Sequence, residues 1–164
     1  MILDYIKVKN ILPSSGAAGG TKASRKGNFI MAEITVQSNE VCEIIDITAQ
    51  VAAMIPSGMK NGVCMLYSPH TTAGLTVNEN FDPDVKHDIL ARLETLAPSK
   101  TPEYRHSEGN SAAHIKTSLV GVSECVPIRN GKLALGQWQG VYFCEFDGPR
   151  PRRHIRLVFL PELD

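Results

Sequence analysis

The feature that most constrains the fold is that the apolar segments are short and lie between turn-forming residues. Residues 30–37 alternate between apolar and polar side chains, residues 63–67 form a continuous apolar run, and residues 155–160 alternate again. Runs of about four to eight residues with these patterns are typical of β-strands. The continuous run predicts a strand that is buried on both faces. Further strands are predicted at 41–47, 72–77, 124–128, 132–135 and 140–146.

Turn residues predict that two pairs of these strands form hairpins. Ser38-Asn39 lies between the first two strands, and Asn130-Gly131 lies between the strands at 124–128 and 132–135. Asn-Gly suits the positive φ angles of a tight hairpin turn. Sequential hairpins favour mostly antiparallel pairing.

Helical patterns interrupt the strands in three places. The strongest covers residues 83–97, where Asp82 suits the N-cap, Pro83 suits the first helical position, and Pro98 ends the segment. Its apolar face recurs at helical spacing through Val85, Ile89, Leu93 and Leu96. Shorter helices are predicted after Thr48 and over residues 111–120. Roughly seven or eight strands with three helices predict an α+β domain.

The chain divides into a basic N-terminal segment and an acidic body. Its formal net charge is zero, but residues 1–28 carry five basic side chains and one acidic one, whereas residues 29–149 carry 8 basic and 14 acidic ones. Residues 13–28 contain no Val, Ile, Leu, Met or aromatic side chain and cannot bury a core face. We therefore predict a flexible basic extension over residues 1–28 and one domain over residues 29–164.

Composition also excludes several classes of partner. An acidic body argues against a nucleic-acid-binding surface, and no apolar run reaches the roughly 18 residues that a membrane span needs. The four cysteines show no C-x-x-C spacing, and no secretory signal is visible. We expect reduced thiols and a cytoplasmic protein that binds neither nucleic acid nor membrane.

Three of the five histidines are candidates for a site. His70 follows the predicted strand at 63–67 among small hydroxyl residues, and His114 lies with serines on the uncharged polar face of the short helix. His106 lies in a polar loop before that helix. Three converging neutral imidazoles would form an open metal site, although the spacing alone is no recognised signature. His87 is expected on a solvated helix face, and His154 in a basic patch for an anion or an interface, or without a role.

Acidic and amide residues provide further candidates beside these histidines. Glu79 and Asn80 precede the long helix without being needed as its caps, so they are candidates to orient histidines or to hold a hard cation. Glu108 lies in the loop that carries His106. Asp82, in contrast, is explained by capping.

Three long blocks of the sequence closely resemble the YjbQ-like family. They read HTTAGLTVNENFDPDV, YRHSEGNSAAHIKTSLVG and GKLALGQWQGVYFCEFDGPR, and the resemblance runs from about residue 34 to residue 160. The resemblance implies a two-sheet, mostly antiparallel β-sandwich with about three helices, assembled as a homotrimer. Its histidine-bearing blocks imply a metal pocket at His70, His106 and His114, with Glu79 and Asn80 in the matching N-E-N segment.

The family resemblance also implies a reaction, a secondary thiamine-phosphate synthase activity. This transferase joins a pyrimidine methyl diphosphate to a thiazole phosphate and releases pyrophosphate. The leaving group needs neutralisation, for which Arg105, Lys116 and Arg150 are candidates, together with a divalent metal. Three imidazoles suit Zn²⁺ better than Mg²⁺, so the metal stays open between the two.

Two other functions fit the same residues. A zinc-dependent hydrolase would use metal-bound water as nucleophile with Glu79 or Glu108 as base. A non-catalytic trimeric protein would bind a metabolite or a metal. All three hypotheses predict a small-molecule ligand, and the transferase predicts that it is phosphorylated.

Overall fold

The structure is a computed structural model, and it describes residues 29–162. The predicted extension over residues 1–28, and residues 163–164 of the predicted domain, lie outside the described residues.

Residues 29–162 contain eight strands and three helices, as the sequence predicts. The strands are β1 (Ile30–Ser38), β2 (Glu43–Asp46), β3 (Gly62–Tyr67), β4 (Ala73–Glu79), β5 (Ser123–Arg129), β6 (Lys132–Leu133), β7 (Gln139–Glu145) and β8 (Arg150–Pro161). The helices are α1 (Thr48–Ala53), α2 (Pro83–Leu96) and α3 (Ser111–Val120). None of the helices in this part of the chain is long and apolar enough to cross a membrane.

The strands form two antiparallel sheets. The larger sheet has five strands in the order β1-β8-β3-β5-β6, and the smaller sheet has three in the order β2-β7-β4. Every pair of neighbouring strands runs antiparallel. The predicted α+β fold with two mostly antiparallel sheets is therefore confirmed.

The main core lies between the two sheets. Leu66 and Phe159 of the larger sheet share one buried cluster with Leu75 and Phe143 of the smaller sheet. All four side chains are fully buried. The two sheets therefore pack face to face as a sandwich.

A third layer of helices covers the other face of the small sheet. Tyr142 and Cys144 alternate with Phe143 along β7, so they point away from the main core. They form a second buried cluster with Leu93 of α2 and Ala113 of α3. The small sheet is thus buried on both faces, and α3 is held directly against it.

The termini of α2 agree with the sequence prediction. The Asp82 side chain accepts a hydrogen bond from the backbone N–H of Asp84 at 2.9 Å, and Pro83 occupies the first helical position.

The predicted hairpin at Asn130-Gly131, between β5 and β6, is also confirmed. Both residues adopt positive φ angles, 52° and 73°.

The predicted hairpin at Ser38-Asn39 is wrong. β1 pairs with β8 in the large sheet, whereas β2 pairs with β7 in the small sheet. The Glu43 carboxylate accepts the backbone N–H of Asn39 at 2.7 Å, which organises a turn that carries the chain from one sheet to the other. The sequence correctly predicts a turn at Ser38-Asn39, but at this turn the chain crosses from the large sheet to the small sheet.

The strand β3, predicted to be buried on both faces, and the apolar face of α3 are both partly open in this chain. In β3, Cys64 and Leu66 are buried but Tyr67 is 40% exposed, so the strand is not buried on both faces. On α3 the apolar side chains Ile115 and Leu119 are 38% and 57% exposed. Sequence patterns show which side chains share a face but not what lies opposite it.

Candidate functional site

A cleft of about 500 Å³ lies where β3 ends, β4 begins and α3 crosses the small sheet. Its walls include residues 67–71, together with His114, Thr117 and Ser118 of α3. Two of the three candidate histidines, His70 and His114, therefore face the same space. Within the described residues, no Asp, Glu, Lys or Arg side chain lines it.

The segment that carries His70 is held at both ends. The Ser68 backbone N–H donates to the carbonyl of Val122, and the Ser68 hydroxyl donates to the carbonyl of Ala73, both at 2.8 Å. At Gly74 a Cβ would lie 2.6 Å from the Gly121 carbonyl oxygen, so only glycine allows α3 to end this close to β4. These contacts fix the width of the cleft.

The His70 imidazole is oriented by the backbone of β8. Its Nε2 accepts a hydrogen bond from the backbone N–H of His154 at 2.9 Å, and the two rings stack with centroids 6.4 Å apart. Burial, followed by the nearby Arg153 and His154, lowers the pKa of His70 below the ordinary 6.5. The ring is therefore neutral at pH 7, and because Nε2 accepts, its proton lies on Nδ1.

A buried ion pair lies directly behind His70. Arg153 donates from Nε and from a terminal nitrogen to the two carboxylate oxygens of Glu145, which is fully buried. The same guanidinium donates to the Thr72 hydroxyl at 3.0 Å. The pair thus joins β8 to β7 and to the residue two positions after His70.

The Glu145 carboxylate also accepts hydrogen bonds from groups other than Arg153. It accepts from the Ser38 hydroxyl at 3.1 Å and from the backbone N–H groups of Phe146 and Asp147 at 3.1 and 2.9 Å. A buried charge is stable only when it is paired and fully hydrogen-bonded, and this network meets that condition.

His106 joins the site through its contact with His114. The two rings meet edge to face with centroids 5.2 Å apart. Glu108 approaches the Nε2 of His106 at 3.9 Å, with its own side chain 71% exposed. The structure therefore brings His106 and Glu108 to the mouth of the cleft rather than into it.

Arg150 and Arg105 lie near the beginning of α3. Arg150 pairs with Asp147 at 2.6 Å, and Asp147 also accepts from Asn110, the residue before α3, at 3.3 Å. Arg105 is exposed on the loop that carries His106. Neither arginine lines the cleft.

Lys116, the third candidate for binding phosphate, is buried between α3 and α2, unlike Arg105 and Arg150. Its ammonium is buried and pairs with Glu94 of α2 at 2.5 Å. That hydrogen bond outweighs burial and lowers the pKa of Glu94. The contact fastens α3 to α2, which gives Lys116 a structural role.

Glu79 and Asn80 do not join the histidines within one chain. β4 begins beside His70 and ends at Glu79, which separates the two ends by roughly 20 Å at the rise of an extended strand. The Asn80 amide donates to Asp46 at 2.8 Å and accepts from the Tyr142 hydroxyl at 2.8 Å. These bonds secure the turn before α2.

The three histidines as they stand do not fit the predicted metal site. Among residues 29–162, no group of three His, Cys, Asp or Glu side chains is arranged to hold a metal ion. The Nε2 lone pair of His70 is occupied by the His154 N–H, and protonated Nδ1 offers none. His70 therefore has no free lone pair for a metal ion in this arrangement.

Sequence reasoning missed the ion pair and the role of His154. Buried arginine is rare, so the arginines between residues 150 and 156 indicate an exposed basic patch. A signal for burial was nevertheless present, because Arg153 lies an even number of positions from Ile155, Leu157 and Phe159, which form the inward face of β8. Glu145 likewise lies two positions from Phe143 on the inward face of β7.

Fold and cleft together define a class of protein, an α+β sandwich whose helical layer borders a histidine-lined cleft. The family model described as UPF0047 protein YjbQ-like matches residues 32–162. The chain belongs to this family, as its sequence blocks predict.

Relatives of known sequence and structure agree with this assignment. The UPF0047 protein YugU of Bacillus subtilis is 51% identical over 120 residues, which cover 73% of this chain and 91% of that protein. The UPF0047 protein MJ1081 of Methanocaldococcus jannaschii is 52% identical over 125 residues, covering 75% and 90%. A crystal structure of a YjbQ/UPF0047 protein from Clostridium acetobutylicum, 47% identical, superposes with a TM-score of 0.75 over 78% of this chain and 98% of that one.

We predict that Arg153→Met destabilises the protein strongly. The substitution leaves the fully buried Glu145 carboxylate without its cation, which costs about 3–5 kcal/mol of unfolding free energy. Urea unfolding measures this change. The matched control is Arg152→Met at the neighbouring exposed position, expected within about 0.5 kcal/mol of the native protein. Equal stability of the two variants would contradict the role of the pair.

Proposed function

We propose that this protein is a transferase of the secondary thiamine-phosphate synthase type. It joins a pyrimidine methyl diphosphate to a thiazole phosphate and releases pyrophosphate. The observation that carries the proposal is the cleft itself, which offers imidazole and hydroxyl groups and, among residues 29–162, no carboxylate. We place the protein in the cytoplasm, with phosphorylated small molecules as its ligands.

The reaction itself needs no general base. The thiazole nitrogen carries a free lone pair and no proton, so it attacks the methylene carbon directly. The carbon–oxygen bond to the diphosphate breaks, and that electron pair leaves with pyrophosphate. No proton has to be removed, and the protein's task is to orient the two rings and stabilise the departing charge.

Residues in the cleft and residues near its mouth would together orient the substrates and stabilise the departing charge. His70 and His114 line the cleft, Arg150 pairs with Asp147 near the start of α3, and Arg105 is exposed on the loop that carries His106. Arginine suits phosphate because its planar fork donates two parallel hydrogen bonds. The proposal includes a divalent cation, and Mg²⁺ arriving on the substrate diphosphate needs few ligands from the protein.

The zinc-dependent hydrolase is the weaker alternative. It needs a base beside the attacking water, but Glu79 lies at the far end of β4 and Glu108 is exposed at the mouth of the cleft. The two carboxylates predicted as bases for the hydrolase therefore both lie outside the cleft.

The proposed assembly is a homotrimer. Ile115 and Leu119 of α3 and Tyr67 of β3 leave apolar surface exposed. Their positions beside the cleft would place a neighbouring subunit at its edge. Burial of this surface by another copy would supply the favourable free energy of association.

We predict that His70→Ala and His114→Ala each lower the rate of thiamine phosphate formation by roughly 100-fold or more, since each removes a group that stabilises the leaving diphosphate. The measurement is product formation from both substrates, detected chromatographically, in Mg²⁺, Mn²⁺ and Zn²⁺ separately. His87→Ala, on a side chain that is 79% exposed on α2, is the control and should keep full activity.

Two results would contradict this prediction. Absence of product with the native protein in all three metals would exclude the transferase. Full activity of both cleft variants would exclude the cleft as its site.

The assembly is tested by light scattering after gel filtration. The native protein should show three times the chain mass of 17.9 kDa. Leu119→Glu places a charge in the exposed face of α3 and should dissociate the trimer. Leu96→Glu, at a comparably exposed leucine of α2, should not. A monomeric native protein, or an unaffected Leu119→Glu trimer, would contradict the proposed interface.

A further inference from the structure

The hydroxyl groups around the cleft differ in whether they make hydrogen bonds within the described part of the chain. Ser68 donates to the carbonyl of Ala73, and Ser118 donates to the carbonyl of His114 at 2.9 Å. The Oγ1 of Thr117 is buried and has no hydrogen-bond partner among the described residues. Only 3% of Thr117 is exposed, and it lines the cleft.

An unpartnered buried hydroxyl on this wall needs an explanation. Leaving such a group unsatisfied costs free energy comparable to a lost hydrogen bond. A threonine on a helix has two accessible χ1 rotamers, so its hydroxyl can turn toward a ligand without disturbing the helix. Thr117 therefore has the properties of a group that awaits a ligand atom.

His70 presents a second unused group to the same cleft. Its Nε2 is occupied by the His154 backbone N–H, and Nδ1 makes no hydrogen bond to any other residue from 29 to 162. Because Nε2 accepts, Nδ1 carries the proton and is a donor. His70, in the segment between β3 and β4, and Thr117 of α3 thus both line the cleft with a donor that has no partner among the described residues.

We propose that His70, through Nδ1–H, and Thr117, through its hydroxyl, form a subsite for a phosphate oxygen at the floor of the cleft. Resting on the proposed function, this subsite receives the diphosphate of the substrate and holds the pyrophosphate as it leaves. His70 acts here as a neutral hydrogen-bond donor.

The chemistry of the subsite selects an anion. No carboxylate lines the cleft in the described part of the chain, so a bare cation would find no opposite charge there. Phosphate oxygens accept hydrogen bonds from both donors, and bonds to a charged acceptor are stronger than bonds between neutral groups. The Arg153 guanidinium behind His70 is itself neutralised by Glu145, so recognition depends on hydrogen bonds.

Two kinds of measurement test the subsite. Nitrogen-15 NMR of the histidine rings identifies the tautomer of His70, which should be Nδ1–H in the free protein and should shift when inorganic pyrophosphate is added. Calorimetric titration with inorganic phosphate and, separately, inorganic pyrophosphate then measures affinity for native protein, His70→Ala, Thr117→Val and Thr117→Ser.

The expected result is a loss of pyrophosphate affinity of about tenfold or more in His70→Ala and Thr117→Val. Thr117→Ser keeps the hydroxyl and should bind within about threefold of the native protein. Thermal unfolding of each variant separates loss of binding from loss of fold. An Nε2–H tautomer of His70, or native affinity in both His70→Ala and Thr117→Val, would overturn the subsite.

These outcomes are distinguishable from those of the transferase assay. Pyrophosphate binding that depends on His70 and Thr117, without turnover, would support the subsite and remove the proposed reaction. Turnover together with pyrophosphate binding that depends on neither residue would support the proposed reaction and remove the subsite.

Discussion

The structure depends most on the buried ion pair between Arg153 and Glu145. It joins β8 of the large sheet to β7 of the small sheet at the edge where the cleft opens. Through Thr72 the same guanidinium reaches the start of β4, and the backbone N–H of the next residue, His154, holds the ring of His70. One charged contact therefore sets both the relation between the sheets and the orientation of the central histidine.

The cleft exists because a helix ends unusually close to a strand. Gly74 allows the carbonyl of Gly121 to approach β4, which brings His114 and Thr117 opposite His70. The buried contact between Lys116 and Glu94 holds α3 from its other side. A site made of neutral donors is thus built by charged pairs that lie outside it, in the layers behind its walls.

Much of the fold was predictable because strand alternation and helix caps are local. Asp82, Pro83 and the Asn130-Gly131 turn behave as their chemistry dictates. The change of sheet after β1 was not predictable, since a turn sequence does not identify the partner strand. In the site, the neighbours of His70 and His114 predicted two residues that do line one cleft, whereas the sequence alone does not show that the length of β4 separates Glu79 from them within one chain. Arg153 was hidden because its burial depends on a partner distant in sequence.

The central claim is that the cleft between His70 and α3 is where a phosphorylated ligand is held. A crystal structure of the protein with inorganic pyrophosphate bound tests it most directly. The account predicts a phosphate group within hydrogen-bonding distance of His70 Nδ1, with the Thr117 hydroxyl turned toward it. Pyrophosphate bound only at Arg105 and Arg150, or at the end of β4 beside Glu79, with the cleft empty, would contradict it.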